Sequence, residues 1–241
     1  MKQLLFVLIA AMLFSSCDVV MQHNERVKGN GNLAKTTRSI NGFTGIDNRG
    51  SIDVVISQGD FKIEVEAEEN LMEYIETEVR NGVLEVSFQD NINISTHQDV
   101  VVYVTAPTLN SVTTNGSGDI KTEGKIKSSE PVTVYVSGSG NINVDLNAPS
   151  VKTEIHGSGN ITIAGETKDL ESDVHGSGDI RAYELKAENV KSGVHGSGNT
   201  DVFASVSIDA SISGSGNVKY KGSPKTVNSK KNGSGEVRNV D

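Results

Sequence analysis

The tripeptide Gly-Ser-Gly occurs seven times in the chain, beginning at Gly116, Gly138, Gly157, Gly176, Gly196, Gly214 and Gly233. The steps from one copy to the next are 22, 19, 19, 20, 18 and 19 residues. Self-similarity at such a period marks a chain of stacked supersecondary units, none of which can bury its apolar side alone. The composition agrees: hydrophobic residues make up 35% and aromatic residues 5%, with no Trp. That is too lean for one thick core and suits an interior one side chain deep.

Counting from the first glycine of each copy shows the period within the repeat. The position two before it holds Thr114, Val136, Ile155, Val174, Val194, Ile212 and Lys231. Six before it stand Asn110, Val132, Val151, Leu170, Val190, Ile208 and Val227. Four after it stand Ile120, Ile142, Ile161, Ile180, Thr200, Val218 and Val237. Even offsets are mostly apolar and often β-branched, whereas odd offsets are mostly polar. Period two makes each repeat a strand into the glycines and a strand out of them. The two glycines share the inward parity, where glycine leaves a corner unfilled and also permits positive φ. Apolar character fades in the first and last copies, as terminal coils require. Residues 106–241 are therefore expected to form an all-β solenoid with rungs of about nineteen residues.

The N-terminus has a different grammar. Met1-Lys2-Gln3 leads into the apolar run Leu4–Phe14, then Ser15-Ser16-Cys17. The run is short for a membrane span and reads as a secretory signal over residues 1–16. Small residues before the single cysteine resemble the lipobox of bacterial lipoproteins, with Phe14 where an aliphatic residue is usual. By that resemblance Cys17 carries the lipid that anchors the protein to a membrane. Residues 17–37, with Lys28-Gly29-Asn30-Gly31-Asn32, lack apolar periodicity and are expected to be a flexible tether.

Residues 38–105 alternate but break the nineteen-residue period. Ile52, Val54 and Ile56 form one strand pattern, and Phe61–Ala67 is expected to pair back on it as a hairpin. Leu71, Met72 and Ile75 fit one face of a short helix. Glu78-Val79-Arg80 and Val83–Phe88 flank Asn81-Gly82, a type I′ hairpin turn. Arg49-Gly50-Ser51-Ile52 looks like a degenerate first copy of the repeat. The region is expected to be a cap of hairpins covering the open end of the solenoid, partly woven into its first coils. Residues 38–241 then form one continuous domain.

The Gly-Ser-Gly-(Asp/Asn)-Ile repeats, the segment Phe43-Thr44-Gly45-Ile46-Asp47 and the signal ending in cysteine together resemble the head GIN domain family, adhesin-like lipoproteins of Bacteroidetes. The resemblance spans roughly residues 40–235. It implies a right-handed parallel β-helix or solenoid and brings no catalytic motif.

Two outward columns could carry chemistry. Directly before the glycines, His156, His175 and His195 occupy consecutive copies. Stacked imidazoles can bind a transition metal, but residues in a line lack the convergence of a tetrahedral site, so a surface ladder is expected and no metal centre. Three after the first glycine stand Asp119, Asn141, Asn160, Asp179, Asn199 and Asn217. Hard oxygens suit calcium, yet an amide ladder that hydrogen-bonds from rung to rung explains the column. Gly-Ser-Gly is followed by strands, not by the helix a phosphate loop needs. Its serines recur without a base to make any of them a nucleophile. The carboxylates are scattered at Asp145, Glu154, Asp169, Glu171, Asp173 and Asp209, with Asp169, Glu171 and Asp173 sharing one face of one strand. No cofactor is implied. A formal charge of −9 without a basic stripe excludes nucleic acid as the natural partner.

The expected protein is a non-enzymatic cell-envelope lipoprotein at the outer membrane, facing the periplasm or the cell surface. It is an adhesin-like binding module for glycans or protein partners, with homo-oligomers open. A structural role in envelope assembly is the alternative, and a polysaccharide-active β-helix enzyme the second.

Overall fold

The computed structural model of the chain describes residues 25–241. The signal segment 1–16 and Cys17 lie outside the described residues. The N-terminal part contains β1 (Glu25–Lys28), β2 (Leu33–Arg38), β3 (Gly45–Gly50), β4 (Asp53–Gln58), β5 (Lys62–Glu68), β6 (Ile75–Arg80), β7 (Val83–Phe88), β8 (Ile92–Ser95) and β9 (Val101–Ala106). The repeats supply β10 (Ser111–Gly116), β11 (Ile120–Lys127), β12 (Val132–Gly138), β13 (Ile142–Gly157), β14 (Ile161–Gly176), β15 (Ile180–Gly196), β16 (Thr200–Gly214), β17 (Val218–Lys221), β18 (Thr226–Gly233) and β19 (Val237–Asn239).

Every Gly-Ser-Gly is a corner between a strand that enters it and one that leaves it. The entering strands stack in parallel register as a front face: β3, β10, β12, the second halves of β13–β16, then β18. The leaving strands stack as a back face: β4, β11, the first halves of β13–β16, β17 and β19. The four long strands turn a second corner midway, so one coil follows another as an all-β solenoid. Inward residues from both faces meet in a single apolar column. Val136, Ile155, Val174 and Val194 from the front and Ile120, Ile142, Ile161 and Ile180 from the back are all buried. Each such side chain contributes roughly 1.5–3 kcal/mol. Among the described residues none stacks on the last coil, and Val227 is 47% exposed where Ile208 in the same column is 1% exposed.

The glycines are required by the coil beneath, which corrects the expectation that both face the interior. The first glycine is only half buried in the first six copies and exposed in the last, and its φ lies between +119° and +143° throughout. From Gly116 through Gly196 its carbonyl accepts two hydrogen bonds from the next coil. At Gly157 these come from the Ser177 and Gly178 N–H groups at 2.9 and 3.2 Å. The second glycine is buried, and a Cβ on Gly178 would lie 1.9 Å from the Gly159 carbonyl oxygen. Ile52 proves the rule. It occupies the second-glycine position of the coil built on Gly50, aligned with Gly118 through the Gly50–Gly116 pairing. Pairing of β3 with β7 stops at Asn48, so no glycine corner lies beneath Ile52, and its side chain enters the core.

The capped end departs from the expected hairpins. Asn81-Gly82 does turn β6 back onto β7, with φ of +52° and +78°. A short 3-10 turn at Glu69–Tyr74 buries Leu71. But β5 does not pair with β4, because β9 lies between them, parallel to β4 and antiparallel to β5. The β7–β9 layer thus continues the solenoid below the β3–β4 coil, which sits between it and the β10–β11 coil. The expected tether is also ordered from residue 25 onward: β1 pairs with β8, and β2 pairs with β5 over six residues. β2 is an edge strand held by backbone hydrogen bonds, and Leu33 is 51% exposed, so it carries no apolar alternation. Buried Glu68 fastens this segment. Its carboxylate accepts from the N–H groups of Gly31 and His97, with the His97 ring 3.2 Å away. The His97 N–H above all holds the Glu68 carboxyl below the usual range.

Candidate functional site

On the outward side of the front face, three columns run along the stack, one, three and five residues before the first glycine. The nearest contains the histidines. His156 and His175 stack with ring centroids 4.7 Å apart and planes at 21°. His175 and His195 follow at 4.9 Å and 11°. All three are exposed, and their spacing is the strand spacing, because the alignment Gly157–Gly176–Gly196 holds them in register. Tyr135 meets His156 at 5.5 Å.

The middle column places acids beside the rings. Glu154 precedes His156 by two residues, so both point outward from the same strand. Glu154 Oε1 lies 2.6 Å from His156 Nε2, while Lys152 Nζ lies 3.0 Å from Glu154 Oε2. The hydrogen bond to His156, then that from Lys152, holds the Glu154 carboxyl below its ordinary range. In the next coil Asp173 takes the equivalent place. Partial burial, then the neighbouring Glu171, raises its carboxyl. Above it stands Gly193, where a Cβ would lie 2.2 Å from Asp173 Oδ1 and 3.7 Å from His195 Nε2. The missing side chain gives Asp173 room beside the histidine row. Glu154, His156 and His175 each bring one ligand atom, and the three atoms lie within 4.8 Å of one another. The sequence reading had the histidines but treated Glu154 and Asp173 as scattered acids. The signal was Glu-x-His and Asp-x-His, acid and imidazole on one strand face in successive copies.

The other acids of that strand are engaged elsewhere. Glu171 pairs with Lys191 at 2.9 Å and Asp169 accepts from Asn189 at 2.9 Å. Asp169, Glu171 and Asp173 therefore share a face without converging.

The second column singled out by sequence starts the back face. Asp119 Oδ1 accepts from the N–H and side-chain amide of Asn141 at 2.8 and 3.0 Å. Asn160 donates to Asn141 at 2.8 Å, and Asn160 Oδ1 accepts from the Asp179 N–H at 3.2 Å. Asp179 Oδ1 accepts twice from Asn199, which in turn accepts twice from Asn217. One oxygen of each residue in this column accepts from the next coil, while Asp179 Oδ2 takes Arg181 in its own coil, so the row sutures coils together.

The second corner of the coils forms a groove of about 620 Å³ whose lining includes Lys127, Asn147, Glu166, Lys186, Glu188 and Phe203. Lys186 Nζ lies 4.4 Å over the Phe203 ring. These residues fall where repeat lengths differ, so no column of the alignment revealed them.

A family model described as "Putative auto-transporter adhesin, head GIN domain" matches residues 42–224. Among solved structures, a "putative adhesin" from Bacteroides fragilis NCTC 9343 superposes with a TM-score of 0.83 at 23% identity, covering 89% of this chain and 100% of that one. A "putative adhesin" from Parabacteroides distasonis ATCC 8503 gives 0.66 at 30% identity, covering 90% and 100%. A "Putative lipid binding protein" from the same strain gives 0.75 at 25% identity, again covering 90% and 100%. No curated protein matches the chain.

Proposed function

The chain belongs to the head GIN domain family of auto-transporter adhesin-like proteins, and from that premise we propose that it is an exported, non-enzymatic binding module that engages glycans or protein partners. The observation that carries the reading is the second-corner groove. It is a broad, shallow surface that presents the Asn147 amide, both signs of charge and the Phe203 ring with Lys186 resting over it. A shallow surface of mixed charge with one aromatic residue suits a partner engaged through several weak contacts, since aromatic residues are enriched where surfaces meet partners. Against an enzyme stands the pairing of the front-face acids: Glu171 with Lys191, Asp169 with Asn189, Glu154 with Lys152 and His156. Glycoside cleavage needs two carboxyl groups facing each other across the bond to be broken.

Export and anchoring through residues 1–16 and Cys17 complete the proposal. The described chain enters at the capped end, where β2 packs on β5. An anchor there would hold that end near the membrane and present the coils away from it. The test is a glycan-array screen with the full-length chain in detergent, alongside a Lys186→Ala, Phe203→Ala double variant. Hits lost in the double variant support the groove. Hits retained in it overturn the groove as the site, and a blank array overturns the glycan reading.

A second reading is a role in envelope assembly, in which the solenoid edge recruits a partner strand. It is favoured by β18, all eight of whose residues are exposed. Such an edge offers a full row of backbone groups for strand addition. Lys225, Lys230, Lys231 and Arg238 make that end basic, which suits an acidic partner.

A further inference from the structure

We propose that Glu154, His156 and His175 form a surface site for one divalent transition-metal ion of the zinc or copper class. The ladder of histidines alone would not do this, because stacked rings point their nitrogens in parallel. Convergence comes from Glu154, which reaches along its own strand to His156 while His175 closes from the coil above.

The donor set is two imidazole nitrogens and one carboxylate oxygen, which suits zinc or copper and is too nitrogen-rich for calcium or magnesium. Zinc binds such atoms at about 2.0–2.2 Å, so ligands around one ion lie roughly 3.3 Å apart. The three donor atoms already lie within 4.8 Å of one another. All three side chains are at least partly exposed, so rotations about their own bonds can bring the His175 nitrogen in while the ion displaces the proton shared by Glu154 Oε1 and His156 Nε2, now 2.6 Å apart. The backbone beneath them need not move: Ile155 and Val174 are fully buried, and the His156–His175 register is held by the ladder on both sides. Lys152 occupies the other carboxylate oxygen of Glu154, Oε2, at 3.0 Å, which orients Oε1 toward the rings. Three protein ligands leave a fourth position open to water.

The test uses the full-length chain in detergent and titrates zinc, copper and cobalt(II) separately by calorimetry, with the visible spectrum of the cobalt form as a second readout. One saturable ion per chain is expected, with tetrahedral or five-coordinate cobalt absorption. His156→Ala, His175→Ala and Glu154→Gln should each weaken binding by at least about tenfold. His195→Ala should change it by less than about twofold, since that ring lies one coil further along. Circular dichroism of each variant checks that the strands persist, as expected for exposed positions. Absence of saturable binding, or binding indifferent to Glu154→Gln or His156→Ala in folded protein, would overturn the proposal. So would equal dependence on His195, which would make the row a nonspecific imidazole surface.

Discussion

The two corners of each coil obey opposite rules. At the Gly-Ser-Gly corner the register never shifts: Gly50, Gly116, Gly138, Gly157, Gly176, Gly196, Gly214 and Gly233 align one above another. All irregularity lies before or at the second corner. The ladder slips between Lys121 and Lys125, between Thr162 and Ala164, and twice between Ala182 and Asn189. The repeat lengths of 18 to 22 residues are thus absorbed at one corner only. The reason is contact distance. Where backbone meets backbone with no room for a Cβ, any change propagates to the coils above and below. At the second corner such contacts are occasional, at Gly165 over the Leu146 carbonyl and Gly222 over that of Ala204, and between them an extra residue becomes a bulge. The corner that tolerates variation is also the one that forms the groove, an arrangement in which a fixed frame carries a variable surface.

Three paired experiments would break or sharpen this contrast. The largest effect is expected from insertion. A Thr-Ser pair placed between Ser177 and Gly178 keeps the inward-outward parity but puts a side chain where Gly178 meets the Gly159 carbonyl, 1.9 Å from an added Cβ. We expect a loss above about 4 kcal/mol, seen as collapse of the urea midpoint by circular dichroism. The same pair between Lys186 and Ala187 should cost about 1 kcal/mol or less, as loop lengthening does. Equal costs would dissolve the distinction.

A smaller effect tests the mechanism at single-atom scale. Gly178→Ala forces a Cβ onto the Gly159 carbonyl and should cost about 3 kcal/mol. Gly124→Ala, at a bulge with φ of +83° and nothing within 4 Å of the added carbon, should cost only the left-handed backbone penalty, about 1–2 kcal/mol. Denaturant unfolding of the two variants should rank them in that order.

The smallest effect concerns the hydrogen-bonded rows. Asn199→Ala removes a donor to Asp179 and an acceptor used twice by Asn217. It should lower stability by about 1–2 kcal/mol. Asn189→Ala, near the second corner, breaks single bonds to Asp169 and Ser207 and should cost about 0.5 kcal/mol. Thermal melts of both would measure the difference.

Much of the candidate site was legible in outline. The histidine and asparagine columns follow from period and parity alone, and the structure places each of them on its expected outward side. Glu154 was not assigned to the histidines, because its partner His175 belongs to another coil and its own offset column changes identity from Tyr135 to Glu154 to Asp173 to Gly193. A site made from an unlike residue in each coil leaves no repeated letter to read.

What the sequence determined by itself is everything carried by local or periodic signals: strands on both sides of each glycine pair, an apolar interior one side chain deep, the Asn81-Gly82 hairpin and the end of the regular stack. These depend on neighbours two residues apart or one repeat apart, so they leave a written pattern. Only the tertiary structure decided that β9 enters between β4 and β5, that the Gly50 coil is sandwiched between later segments, and that residues 25–38 are strands rather than tether. Those pairings join segments tens of residues apart through backbone N–H and C=O groups, which every residue but proline offers equally. Hydrogen bonds of that kind have no side-chain signature, and which edges meet is settled only when the whole stack is assembled.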